Sequence, residues 1–136
     1  MANALFDKGR QNILEGAIAI LTVNVKLVLV DHGVDAPVVA TDDFLDDILA
    51  GARIATSAAF GSMTRTDGVF DADYVTLVAV TGASVESIVI YNDTPATEAG
   101  KHLIAYIDVA TGLPFTPSGG EVTIQWDAGA NRIFKL

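Results

Sequence analysis

Cysteine is absent from this 136-residue chain, which excludes disulfides, thiolate nucleophiles and zinc–sulfur centres and leaves stability to packing or association. Histidine occurs only as His32 and His102. That is too little for a histidine-based metal site and gives a Ser–His or Cys–His dyad little material. Cations are scarce as well: eight Lys and Arg stand against 17 Asp and Glu, a formal charge of −9. Such a surface repels phosphate, so no direct contact with nucleic acid is expected. A membrane helix needs about 18 consecutive apolar residues. The best run, 17–30, is interrupted by Thr22, Asn24 and Lys26. Asp7, Lys8, Arg10, Gln11 and Asn12 fall where a secretory signal would be apolar, so none is expected.

What the chain has in excess is apolar character: 51% hydrophobic residues, 18% charged, mean hydropathy +0.43. With a membrane set aside, the surplus is assigned to contacts with other subunits, whose interfaces resemble a core cut in half. The length suits one domain over 1–136, burying about two thirds of its unfolded surface.

Chemistry-bearing motifs are missing. Gly119–Gly120 is followed by an alternating run rather than by a helix with Lys and Ser/Thr, and residues 82–86 do not form a nucleophile elbow. Asp42, Asp43, Asp46 and Asp47 lack the alternating ligands, sixth-position glycine and distal Glu of a calcium loop, and read as helix-start acids. Asp71 and Asp73 are two acids among 17. The aromatics Tyr74, Tyr91, Tyr106, Phe115 and Trp126 have only Lys101 as a basic residue between them, so they are core or interface rather than a base-stacking platform. No enzyme, cofactor or metal is expected.

The periodicities predict a mainly β domain, a β-sandwich or partly closed barrel with two short helical pieces. Residues 3–14 carry Leu5, Phe6, Ile13 and Leu14 at roughly helical spacing, with Asn3 as cap and Gly16 as stop, so 1–16 is read as an N-terminal helix or arm. Gly9 sits badly in that helix. Strands are expected at 23–30, at the start of 52–64 before a small-residue stretch, and at 69–81, 85–91, 103–108, 122–126 and 132–136, with a helical turn near 42–50 capped by Thr41 or Asp42. His32, beside a turn, reads as solvated, and His102 as a loop-edge residue. The last two strands, joined by 127–131, read as a hairpin. Residues 112–120 form a proline-set loop.

Certain phrases are distinctive: MANALFDKGRQNILEG at 1–16, DFLDDILAGARIATS at 43–57, VESIVIYNDT at 85–94, and LIAYIDVATGLPFTPSGGEVTIQWDAGANRIFKL at 103–136. Together they resemble a family of small virion structural proteins of tailed bacteriophages. The resemblance implies a non-enzymatic particle component, favoured here as a capsid decoration (cement) protein on the outer face of the head. Its partners would be the major capsid protein and copies of itself, as a homo-oligomer such as a trimer. A tail or head–tail connector component is the alternative, and a glycan-binding fibre module stacking sugar on Trp126 or the tyrosines is another. Under the decoration reading the contact residues are Leu5, Phe6 and Arg10 of the N-terminal segment and Leu113, Pro114, Phe115 and Pro117 of the loop. Removal of 2–14 is then expected to leave a folded β domain that no longer docks.

Overall fold

Three of the expected strands are apolar at odd and even positions alike, and such strands need cover on both faces. They form the centre of the fold. In a computed structural model, which describes residues 3–136, the strands are β1 (Ala4–Leu5), β2 (Val25–Val30), β3 (Arg53–Thr56), β4 (Val69–Phe70), β5 (Val75–Leu77), β6 (Ser87–Asn92), β7 (Leu103–Ile107), β8 (Val122–Ile124) and β9 (Phe134–Lys135). The single α-helix among the described residues is α1 (Asp7–Leu14). Strand makes up 29% and helix 15% of the chain, so the fold is mainly β. An antiparallel sheet of order β1-β7-β6-β2-β3 is the main element, and it is not a closed barrel. Two ribbons, β4-β9 and β5-β8, complete the strands.

Side-chain alternation sends the central strands into two separate cores. Val25, Leu27, Leu29, Ile88, Ile90 and Ile104 point to one, where Phe60, Phe70, Val75, Leu77 and Trp126 from the ribbon side meet them. Val28, Val30, Val89, Tyr91, Leu103 and Tyr106 point to the other, under Phe6, Leu45, Ile48 and Ala52. The sheet is thus the middle layer, with ribbons on one face and α1 and irregular backbone on the other.

The N-terminal segment differs from expectation. Residues 4–5 pair with β7 before the helix starts, so Phe6, not Asn3, is the helix cap. The Asn3 carboxamide instead clasps the end of β7: its Oδ1 accepts from Asp108 and Val109 N–H at 2.9 and 2.8 Å, and its Nδ2 donates to Val109 O at 2.8 Å. The buried helical residues are Gly9 and Asn12, while Leu14 is 86% exposed. Gly9 has a specific reason to be glycine. The β6–β7 register shifts so that Ile90 faces Ala105 and Tyr91 faces Leu103, which leaves Ile104 as a bulge. A Cβ on Gly9 would lie 2.7 Å from Leu103 O and 2.9 Å from Ile104 O. The first turn of α1 therefore sits directly on bulged backbone. Of the two readings of this segment the helix is present, and the burial of Phe6 and Gly9 in the described part, 3–14, opposes the expectation that the β domain folds without it.

The helical turn expected near 42–50 is present as a 3-10 turn at Leu45–Asp47, followed by a second at Ala50–Ala52, and not as α-helix. The aspartates explain why. Asp47 Oδ2 accepts from the N–H of Asp43 and Phe44 at 2.8 and 2.9 Å, and Asp42 turns back to Val38 N–H at 2.8 Å. Short acidic side chains that satisfy nearby backbone favour turns over helix. The long strand expected at 69–81 breaks into β4 and β5, with Val78 73% exposed and Ala79 at φ 52°. The C-terminal hairpin is also corrected: β8 pairs with β5 and β9 with β4.

Candidate functional site

The expected contact residues occupy three kinds of position. Phe6 is 0% exposed, and its N–H donates to Ile104 O at 3.0 Å, so it is a core residue and not an outward contact. Leu5 is half-buried in β1, against the ribbon-side core. Arg10 is exposed, paired with Asp7, and donates through Nη1 to Leu5 O at 3.1 Å. It caps a carbonyl on the free side of the β1 edge.

The loop 112–120 is extended, and its alternation decides what it presents. Leu113, Phe115 and Pro117 are half-buried, the first two packed on the core, whereas Pro114, Thr116 and Ser118 are exposed. Leu113–Pro114 is a cis peptide bond. Phe115 exchanges two backbone hydrogen bonds with Val85, at 2.7 and 3.1 Å, and residues 119–120 exchange two with Val80, at 2.8 and 3.1 Å. The loop is pinned at both points, and of the four expected loop contacts only Pro114 stands fully outward.

A cleft of about 870 Å³ escaped sequence reasoning. It lies between β1 (with Asn3) on one side and residues 123–128 and 132–135 on the other. Leu5, Ile107, Ile124, Ile133 and Phe134 supply half-buried apolar floor, and Arg132 and Lys135 supply positive charge against the carboxylate of Asp127. It exists because β8 and β9 pair elsewhere and leave their facing edges, and that of β1, without a strand partner among the described residues. No local sequence signal marks that choice.

Two polar clusters hold the histidines: His32 is not solvated as expected, while His102 does lie at the edge of β7. His32 is half-buried: Nε2 lies 2.8 Å from Ser87 Oγ, the ring stacks on Tyr106, and its N–H donates to Glu86 Oε2 at 2.8 Å. Tyr106 in turn donates to Asp108 Oδ2 at 3.2 Å. A serine and imidazole at this distance have the geometry of a nucleophile and its base. Ser87, however, is 0% exposed in the middle of the sheet, so no substrate can reach its oxygen. The pair satisfies a buried hydroxyl. A Ser84 hydrogen bond, with that from His32 N–H, holds the Glu86 carboxyl below its ordinary range, against a smaller effect of burial. At the second cluster His102 Nδ1 lies 2.9 Å from Asp43 Oδ1, Asn12 Nδ2 donates to the same oxygen at 3.1 Å, and Phe44 stacks on the imidazole. These contacts tie α1 to the 3-10 segment and to β7.

Asp93 lies between Lys26 and Lys101, 2.9 and 2.6 Å away. Burial alone would raise its pKa, but the two ammonium groups together hold it below the ordinary value. Trp126 is 8% exposed, packs on Phe60 and donates through Nε1 to Asp73 O at 3.0 Å. Among the described residues no cluster of three or more His, Asp or Glu could hold a metal ion, and no helix is long and apolar enough to cross a membrane. Comparison with protein-family models, curated proteins and solved structures finds no match.

Proposed function

We propose that this chain is a non-enzymatic structural protein of a tailed-bacteriophage virion, a decoration subunit that binds the outer face of the capsid and holds major capsid proteins together. The reading starts from the sequence resemblance. The observation that supports it best is the loop 112–120, pinned to Val80 and Val85, which presents Pro114, Thr116 and Ser118 outward. A prearranged loop loses little conformational entropy on docking, which suits a clamp. The polar clusters give no competing catalytic reading, because their one serine–imidazole pair is sealed in the sheet. The burial of Trp126, Tyr91 and Tyr106 also removes three of the four rings on which a sugar would stack and leaves Tyr74 alone exposed.

The contact set is revised accordingly. Pro114, Thr116 and Ser118 replace Leu113, Phe115 and Pro117 as the docking side of the loop, and Arg10 remains while Phe6 does not. The test is the copy number relative to the major capsid protein in purified particles, with the chain located by electron cryomicroscopy. Hundreds of copies on the head support decoration. A single ring or a handful of copies at the neck or tail overturns it in favour of a connector or tail component.

A further inference from the structure

We infer that copies of this chain associate head to tail, the apolar patch at 34–49 of one copy seating in the cleft between β1 and β8 of the next. The inference deepens the assembly reading and rests on it only in supposing that subunits meet.

The patch is built from Val34, Val38 and Leu49, all exposed large apolar residues. Local contacts bring Leu49 to the 34–35 turn, and Val38 lies a few residues further along the same segment. Leu49 N–H donates to Asp35 Oδ2 at 2.8 Å, Val38 N–H donates to Asp42 Oδ2 at 2.8 Å, and a Cβ on Gly51 would stand 3.7 Å from Val34. The patch is rimmed by carboxylates. Asp42 is raised above its ordinary pKa, by burial first and then by the charges of Asp47 and Asp35, in spite of the Val38 hydrogen bond. This surface is apolar at its centre and crowded with negative charge at its edge.

The cleft is its complement. Its floor carries the half-buried Leu5, Ile107, Ile124, Ile133 and Phe134, and the two cations Arg132 and Lys135 outnumber the single carboxylate of Asp127 along it, in a chain with only eight cations. Arg132 has a distant partner, Asp71 at 3.7 Å. The two surfaces hang from opposite faces of the sheet: Val39, Leu45 and Ile48 beside the patch belong to one core, and Leu5, Ile124 and Phe134 in the cleft border the other. One copy therefore cannot satisfy itself. Contact between unlike surfaces is heterologous, and it closes into a ring or runs on as a filament. The surplus of apolar residues that a membrane does not absorb finds its place here.

Sedimentation velocity of the isolated full chain over a concentration series is the test. The wild type is expected to associate, and less so at high salt, because the rim is ionic. A cleft variant, Gln125→Glu with Lys135→Glu, and a patch variant, Val38→Asp with Leu49→Asp, change only exposed positions, and each is expected to be monomeric. Mixed together they retain one native patch and one native cleft, so they should form one-to-one dimers and nothing larger. A monomeric wild type, association undisturbed by either variant, or a mixture that stays monomeric overturns the proposal. Hydrogen exchange on the wild type gives a readout free of mutation. Residues 34–38 and 122–135 should gain protection together as concentration rises, and protection at only one of them also overturns it. No capsid takes part, so failure here leaves the decoration reading standing, and failure to find the chain on heads leaves this one standing.

Discussion

β6 and β8 have similar sequences and different fates. Each is rich in β-branched residues and would be scored alike by propensity. β6 is six residues long, buried throughout, and bonded to β7 on one edge and β2 on the other. β8 is three residues long, with Val122 and Ile124 half-buried and Thr123 exposed, and it bonds to β5 alone. The difference lies in the neighbours. A strand with ladders on both edges and cores on both faces is determined by many contacts, whereas one with a single ladder can end early and leave an edge for something else. In this molecule the rigid sheet positions the surfaces, and the ribbons provide them.

That contrast can be broken most sharply in the core. Ile90→Ala in β6 is expected to cost about 4 kcal/mol, whereas Ile124→Ala in β8 should cost about 1.5 kcal/mol, because that side chain is only partly buried. Equal losses in chemical denaturation would mean that the ribbon is as firmly held as the sheet. Next, Gly9→Ala places a methyl against the Leu103 and Ile104 carbonyls, and the expected cost is about 2–3 kcal/mol for overpacking against backbone. A neutral result would show that α1 rides loosely on the bulge.

A smaller effect appears at high pH. Burial first, and then the neighbouring carboxylates of Asp93 and Asp108, push the phenols of Tyr91 and Tyr106 up to about 12. Folding therefore favours the neutral phenol. The contribution is complete below the unfolded value of about 10 and is lost as pH rises toward about 12. Melting temperature should fall over that window, and Tyr106→Phe should flatten part of the fall. A flat profile in the wild type would contradict it. The smallest effect is expected at the loop: Pro114→Ala, at an exposed position, should change stability by less than about 0.5 kcal/mol while weakening capsid binding. A large loss of stability would make the loop part of the framework.

The sheet was legible in the sequence because its signal is local. The runs at 23–30, 85–91 and 103–108 are dominated by β-branched and other apolar residues, 103–107 on both faces, and β2, β6 and β7 fall within or within one residue of them. The loop 112–120 was legible from its glycines and prolines, but which of its side chains face outward depended on Val85 exchanging hydrogen bonds with Phe115 across 30 positions. The helical signal at 3–14 was misjudged by one turn because Ala4 and Leu5 answer to β7, roughly 100 residues away. Gly9, a defect by propensity, is a requirement of close approach. The cleft could not be read at all. The turn chemistry at 127–131 invites a hairpin, and β4 and β5 claim the two strands first. His32 looked solvated because its partner Ser87 comes from 55 positions away.

The acidity of the chain stops at the sheet. None of the 17 acids lies in β2, β6 or β7, where Lys26 is the only charged side chain. Apart from Lys26 those strands form an electrically blank chassis, and every acid except Asp7 of α1 lies in the turns, 3-10 segments and loops around it. Surface charge and framework can therefore be altered separately. A lineage or an engineer could recolour the exterior, even reverse its sign, without disturbing the three strands that hold its parts in place.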